Sequence, residues 1–92
     1  MKLMDTVALM ESADYKDRFK AEFLQLTIRR NALAKMLVKY KEGTLPFTPK
    51  CSYELLHEQL IYMENYMSIL LDRAEIEGIS LYEGIENGEC EQ

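Results

Sequence analysis

The strongest constraint on this chain is a pair of long segments that contain neither glycine nor proline and carry apolar residues at three- and four-residue spacing. One runs from about residue 14 to residue 41, and the other from about residue 52 to residue 77. Gly43, Pro46 and Pro49 interrupt the pattern between them. We predict two helices of roughly 26 residues, each about 40 Å long, folded against each other as an antiparallel hairpin.

Capping residues mark the ends of the two predicted helices. Ser12 or Asp14 can cap the first long helix, Ser52 can cap the second, and Gly78 before Ile79 is typical of a helix C-terminus. We predict that residues 1–12 form a short N-terminal helix that packs on the rest of the domain. We therefore expect an all-α domain over residues 1–79 and an acidic tail over residues 80–92, in which the "ISLY" stretch could pair as a short strand or pack back.

Each long helix carries more than one apolar stripe. On the first, Arg30 falls on the main seam, which otherwise consists of Phe19, Phe23, Leu26, Leu33, Leu37 and Tyr40. A second stripe on this helix consists of Leu24, Ile28, Ala32 and Met36. On the second helix, one stripe is wholly apolar and consists of Leu56, Leu60, Met63, Met67, Leu70 and Ala74. The other is mixed and consists of Leu55, Gln59, Tyr62, Tyr66, Ile69, Arg73 and Ile76.

A lone hairpin buries one stripe per helix, so two stripes per helix leave apolar surface uncovered. We therefore predict a homo-oligomeric helical bundle in which the mixed stripe faces a subunit boundary.

Charge is distributed unevenly along the chain. Its net charge is −5, but residues 16–50 carry nine bases against three acids, and residues 51–92 carry one base against ten acids. An acidic protein binds long nucleic acid poorly, whereas a local basic helix can bind a small anion. The alternative is that the basic helix simply faces the acidic one, in its own chain or in a neighbour.

Three arginines and three tyrosines form the candidate binding site. Arg29, Arg30 and Arg73 are expected to bind phosphate, because a guanidinium group binds it bidentately and keeps its charge. The tyrosines at positions 15, 62 and 66 are expected to stack on a base. The alternatives are that Arg30 reaches past the seam to Glu64 or to a neighbour's acid, and that the tyrosines are ordinary core residues.

Catalytic and metal-binding patterns are missing from the sequence. The "HEQLI" stretch at His57 lacks a second histidine, no cluster has metal-ligand spacing, and no glycine-rich phosphate loop occurs. We expect no enzyme activity, no metal and no cofactor, and we place His57 on the surface. Since no apolar run is long enough for a membrane span and no signal peptide is evident, we expect a cytoplasmic protein with Cys51 and Cys90 as free thiols.

The block from "DYKDRFKAEF" to "LLDRAEIEGI" resembles a family of small phage proteins related to one from a crAss-like phage. The resemblance spans roughly residues 14–79 and includes "FKAEF", "GTLPFTP", "LLHEQ" and "RAEIEGI". This family implies no particular activity.

A second similarity is to the helical-hairpin domain of phage anti-CBASS and anti-Thoeris sponges, which sequester cyclic nucleotide signals. The similar positions are Gln25, Leu26, Leu33, Leu56, Gln59, Met63, Tyr66, Leu70 and Arg73. The similarity implies a hairpin that assembles as a trimer of dimers, with ligand pockets between protomers. It places Arg29 and Arg73 near phosphate-binding positions.

These observations lead to one functional prediction with two alternatives. We predict a phage counter-defence protein in the cytoplasm of the bacterial host that binds a cyclic nucleotide immune signal without cleaving it. The first alternative is a protein-binding inhibitor that acts through an acidic helical face. The second is a structural phage protein with no small ligand.

Overall fold

The computed structural model describes residues 1–81, and all regular structure in this part of the chain is helical. A single 3₁₀ turn, Leu3–Thr6, leads into the short helix α1, Val7–Met10. Two long helices follow, α2 over Tyr15–Glu42 and α3 over Tyr53–Glu77. The all-α prediction is confirmed for these residues, and the two long helices end within about a residue of the predicted limits.

Short polar side chains cap the starts of both long helices. The carboxylate of Asp14 accepts a hydrogen bond from the Lys16 backbone N–H at 2.9 Å, so Asp14 is the cap of α2. The Ser12 hydroxyl instead donates to the Asp17 carboxylate at 2.8 Å. Ser52 caps α3 as predicted, because its hydroxyl accepts from the Leu55 N–H at 3.1 Å.

Glycines in the left-handed conformation end both helices. Gly43 has φ 75° and Gly78 has φ 70°, values that side chains with a β-carbon rarely adopt. The next residue along, Ile79, donates its backbone N–H to the Ala74 carbonyl at 2.8 Å. This reversal directs the Ile79 side chain into the core, as the glycine pattern predicts.

Contacts between α2 and α3 pair opposite ends of the two helices. Tyr15 at the start of α2 bonds to Glu77 at the end of α3, and Arg30 near the middle of α2 bonds to Glu64. At the other end, the Tyr40 and Tyr53 rings lie 5.7 Å apart, centroid to centroid. This order is expected when two helices lie alongside each other in opposite directions.

The hydrophobic core is concentrated where α2 begins and α3 ends. Its buried members are Phe19, Phe23, Leu26, Leu70, Ala74, Ile79 and Leu81, and Met63 and Met67 pack against them. Leu37 is also buried, but Leu33 and Tyr40 on the same predicted seam are only half-buried. The packed part of the chain extends to Leu81, and residues 82–92 of the predicted acidic tail lie outside the described residues.

The N-terminal segment covers part of the second stripe of α2. Thr6 is fully buried, and its hydroxyl accepts a hydrogen bond from the Gln25 amide at 2.9 Å. Leu24 is buried, whereas Ala32 further along the stripe is exposed. The chain therefore buries part of this stripe itself.

None of the helices within residues 1–81 is long and apolar enough to cross a membrane.

Candidate functional site

One face of α3 stays open along most of the helix. It is the mixed stripe of the sequence, and we call it the tyrosine face: Leu55, Gln59, Tyr62, Tyr66, Ile69, Arg73 and Ile76. Its five large apolar or aromatic side chains are between 42% and 84% exposed. A groove of about 550 Å³ lies over its first half, lined by Leu55, Glu58, Gln59, Tyr62, Met63 and Tyr66.

Tyr66 is held in place from across the helix pair. Its hydroxyl donates a hydrogen bond to the Glu22 carboxylate on α2. That hydrogen bond, together with partial desolvation and the negative charge of Glu22, raises the pKa of Tyr66 above its ordinary value. Tyr66 thus keeps its proton and presents a fixed aromatic ring at the end of the groove.

Helical spacing puts Arg29 on the same side of α2 as Glu22, which faces the groove, although Arg29 does not line the groove itself. It follows Glu22 by two helical turns, so the two side chains share a face of α2. Opposite ends of the two helices pair. A step forward along α2, from Glu22 to Arg29, is therefore matched by a step back along α3, from Tyr66 to Tyr62. Arg29 is exposed, and within residues 1–81 no carboxylate pairs with it. Its guanidinium group is therefore available to an anion.

Arg73 and Tyr15 are brought together at the far end of the tyrosine face. A terminal N–H of Arg73 donates to the Tyr15 hydroxyl at 2.8 Å, and this hydroxyl donates to Glu77 at 3.0 Å. The Arg73 guanidinium carbon also lies 4.9 Å from the centre of the Phe19 ring. Desolvation lowers the pKa of Arg73, but Tyr15 and Glu77 outweigh it and raise the pKa overall. Both predicted site residues are thus oriented, and Glu77 offsets part of the positive charge.

Arg30 is separated from the other two arginines. Its Nε donates to the Glu64 carboxylate at 3.0 Å, a second N–H donates to the same oxygen, and Nη1 bonds to the Asn31 side chain at 3.1 Å. Because consecutive helical residues point about 100° apart, Arg30 faces away from Arg29. This arrangement is the alternative in which Arg30 reaches past the seam to Glu64.

A second aromatic group lies at the loop end of the molecule. The His57 ring stacks on Tyr53 at 5.7 Å, and the Lys41 ammonium lies 5.6 Å from the centre of the same Tyr53 ring. His57 is exposed, as predicted. In the same region Cys51 is an exposed free thiol, while Cys90 lies outside the described residues.

The contacts made by Glu22 and Glu77 were not predicted from the sequence. The register of the two helices brings Glu22 to Tyr66 and Tyr15 to Glu77. Glu77 meets Arg73 within α3 itself, because the two residues are four positions apart. Over residues 1–81 the structure contains no group of three or more histidines, cysteines and acids that could hold a metal ion.

Comparison with models of known protein families gives a match to the family described as Sequestin, over residues 13–76. The matched region includes all of α2, the connecting loop and nearly all of α3. No curated protein and no solved structure matches the chain significantly.

Proposed function

Because the chain belongs to the Sequestin family, we propose that it sequesters a small ligand and that this ligand is a cyclic nucleotide immune signal. In this proposal the chain is a phage counter-defence protein that acts in the cytoplasm of the bacterial host. It holds the signal without cleaving it. Mass action then lowers the free signal concentration below the level that activates the host effector.

The proposal rests on the groove that contains Tyr62 and Tyr66, and on the helix register, which puts Arg29 on the side of α2 nearest to that groove. A nucleotide needs a cation for its phosphate and a flat apolar surface for its base. Arg29 offers the cation, because no acid among the described residues neutralises it. Tyr62 and Tyr66 offer rings at adjacent turns of α3, and Glu22 fixes the second of them.

The remaining predicted residues are expected to contribute less to ligand binding than Arg29. Arg73 and Tyr15 bind a second phosphate or orient the far end of the ligand, since their mutual hydrogen bond already fixes them. Arg30 contributes to phosphate binding only if its bond to Glu64 is broken. We therefore rank Arg29 first, Arg73 second and Arg30 last.

The groove is open on one side, and a subunit boundary would close it. We propose that the chain acts as an antiparallel hairpin in a homo-oligomer whose ligand pockets lie between protomers. Such closure would remove both the base and the tyrosine rings from water, which favours tight binding.

A thermal-shift screen tests the proposal. The purified protein is heated with cyclic dinucleotides, cyclic trinucleotides and cyclic ADP-ribose variants, one compound at a time. A ligand at 100 times its Kd should stabilise the fold by about 2.7 kcal/mol, which is several degrees for a domain of this size. If no compound shifts the transition, the nucleotide proposal fails.

Two charge reversals localise the site. Arg29→Glu should abolish the shift, whereas Lys35→Glu should leave it intact, because Lys35 is also exposed but lies six residues further along α2 on another face. Equal effects of both variants would mean that the ligand responds only to the overall charge of α2.

The acidic surface of α3 favours one other function. Glu58 and Asp72 are exposed acids on a helix that carries six acids and one base. Such a surface suits a basic protein partner, which the chain would inhibit by covering its binding site. In that case Glu58→Arg and Asp72→Arg would remove the inhibition, and Arg29→Glu would not.

A further inference from the structure

The tyrosine face is longer than one nucleotide can cover. From Leu55 to Ile76 it extends about 32 Å along α3, at about 1.5 Å per residue. The groove occupies only the part between Leu55 and Tyr66. Ile69 and Ile76 lie beyond it and are 57% and 84% exposed. Gln59 and Arg73 interrupt the face, but an exposed row of large apolar side chains on a small protein is typical of a protein interface.

Charge is segregated between the two long helices. Helix α2 carries eight bases and three acids, whereas α3 carries six acids and one base. Within residues 1–81, Arg30–Glu64 is the ion pair that joins the two helices, and the other pair, Arg73–Glu77, lies within α3. Most of the basic charge on α2 and the acidic charge on α3 therefore remains available to another molecule.

We infer that the tyrosine face packs against α2 of a second copy of this chain. Packing α3 against α3 of another copy would bring acids against acids, whereas α2 offers bases beside half-buried apolar residues such as Leu33 and Met36. Each copy presents both surfaces, so two copies can satisfy each other symmetrically. Charge as well as apolar area therefore favours α2 of a second copy as the partner of the tyrosine face.

This arrangement completes the ligand site. Arg29 lies on the side of α2 that adjoins the groove of its own chain, so α2 of the second copy would bring another Arg29 toward the tyrosine face. The nucleotide role of this interface rests on the proposed function, whereas the self-association does not. The groove alone exposes the ligand to water, and the second copy would cover it.

Light scattering without any nucleotide tests the association. At micromolar concentrations the wild-type chain should be a dimer or a larger assembly, and Ile69→Gln should weaken the association at least tenfold. Val38→Gln is the matched control, because Val38 is 58% exposed but lies nine residues from Arg29, half a turn round α2. A monomeric wild type, or equal effects of the two substitutions, would overturn the inference.

Salt distinguishes the two possible partner helices. Raising the ionic strength from about 0.1 M to about 1 M shortens the screening length from about 10 Å to about 3 Å. If α3 packs against α2 of the second copy, association should weaken several-fold. Unchanged or stronger association would overturn this pairing, because packing of α3 on α3 gains from screening of its acids.

The two proposals fail separately. A chain that assembles as described but gives no thermal shift with any nucleotide retains the interface and loses the proposed function. A chain that binds a nucleotide as a monomer retains the sequestering function and loses both the interface and the pocket between protomers.

Discussion

At the scale of single residues, the three candidate arginines differ in what already surrounds them. Arg30 bonds to Glu64, Arg73 bonds to Tyr15 and Glu77, and Arg29 has no acidic partner within residues 1–81. A guanidinium group that already holds a carboxylate has fewer N–H donors left for a phosphate, and the carboxylate repels the phosphate. The three arginines have the same chemistry, so they differ as phosphate ligands mainly in how many N–H groups are still free.

The Arg30–Glu64 pair should act as a modest structural contact. Its two side chains are 31% and 43% exposed, so solvent screens them. A double-mutant cycle of Arg30→Ala and Glu64→Ala, measured by urea unfolding, should give a coupling of about 0.2–1 kcal/mol. Nucleotide affinity should fall much less for Arg30→Ala than for Arg29→Ala, and equal losses would place Arg30 in the ligand site.

The Tyr66–Glu22 hydrogen bond should make stability depend on alkaline pH. The folded-state pKa of Tyr66 is raised, so the stabilisation is fully present below the unfolded value of about 10 and is lost as pH rises through the folded value. Urea unfolding should show wild type more stable than Tyr66→Phe at neutral pH, with the difference shrinking above about pH 10.

Tyr62→Phe is the control for this pH series, since Tyr62 is exposed and the sequence predicts for it only a stacking role. Measured alongside Tyr66→Phe at neutral pH, Tyr62→Phe should differ little from wild type. A Tyr66→Phe difference that stays constant up to pH 11 or so would contradict the assigned bond.

At the scale of elements, the sequence predicts where each long helix begins and ends. It predicts only part of the contacts between the helices. Caps and helix limits follow from neighbouring residues, so Ser52 and Gly78 were predictable. The rotation of α2 against α3 depends on the packing of the whole seam, and it decides that Glu22 reaches Tyr66. Leu33 and Tyr40 share the seam spacing of Phe19 but are less buried, because spacing alone does not fix where the core concentrates.

The C-terminus of α3 should depend on the glycine that ends it. No atom lies within 4 Å of a β-carbon added at Gly78, so Gly78→Ala would strain only the left-handed backbone. We expect a loss of about 1–2 kcal/mol in the free energy of unfolding. Ser80→Ala, an exposed change two residues away, should have little effect, and a neutral Gly78→Ala would contradict the left-handed cap.

At the scale of the whole molecule, one end is packed and the other is held by fewer buried side chains. The core gathers around Leu70, which has no exposed surface, while Leu60 toward the loop end is only half-buried. Leu70→Ala should cost about 2–5 kcal/mol of unfolding free energy. When both changes are measured in the Ile69→Gln background, where association is weakened, Leu60→Ala should cost clearly less than Leu70→Ala. Equal losses would mean that the core extends evenly along both helices.

The packed end sets the register of the two helices, and the tyrosine face stays exposed beside it. In the proposed function, this register turns Arg29 and Tyr66 to one side and the exposed face receives the ligand. The family match covers both long helices, over residues 13–76.

Equilibrium dialysis followed by chromatography tests whether the chain sequesters a nucleotide without cleaving it. The protein is dialysed against each cyclic nucleotide of the screen, and the retained compound is then released by heat denaturation and identified. If the chain sequesters a nucleotide, one compound should be retained in proportion to the amount of protein and recovered chemically unchanged. Retention of none of the compounds, or recovery of a hydrolysed product, would contradict sequestration.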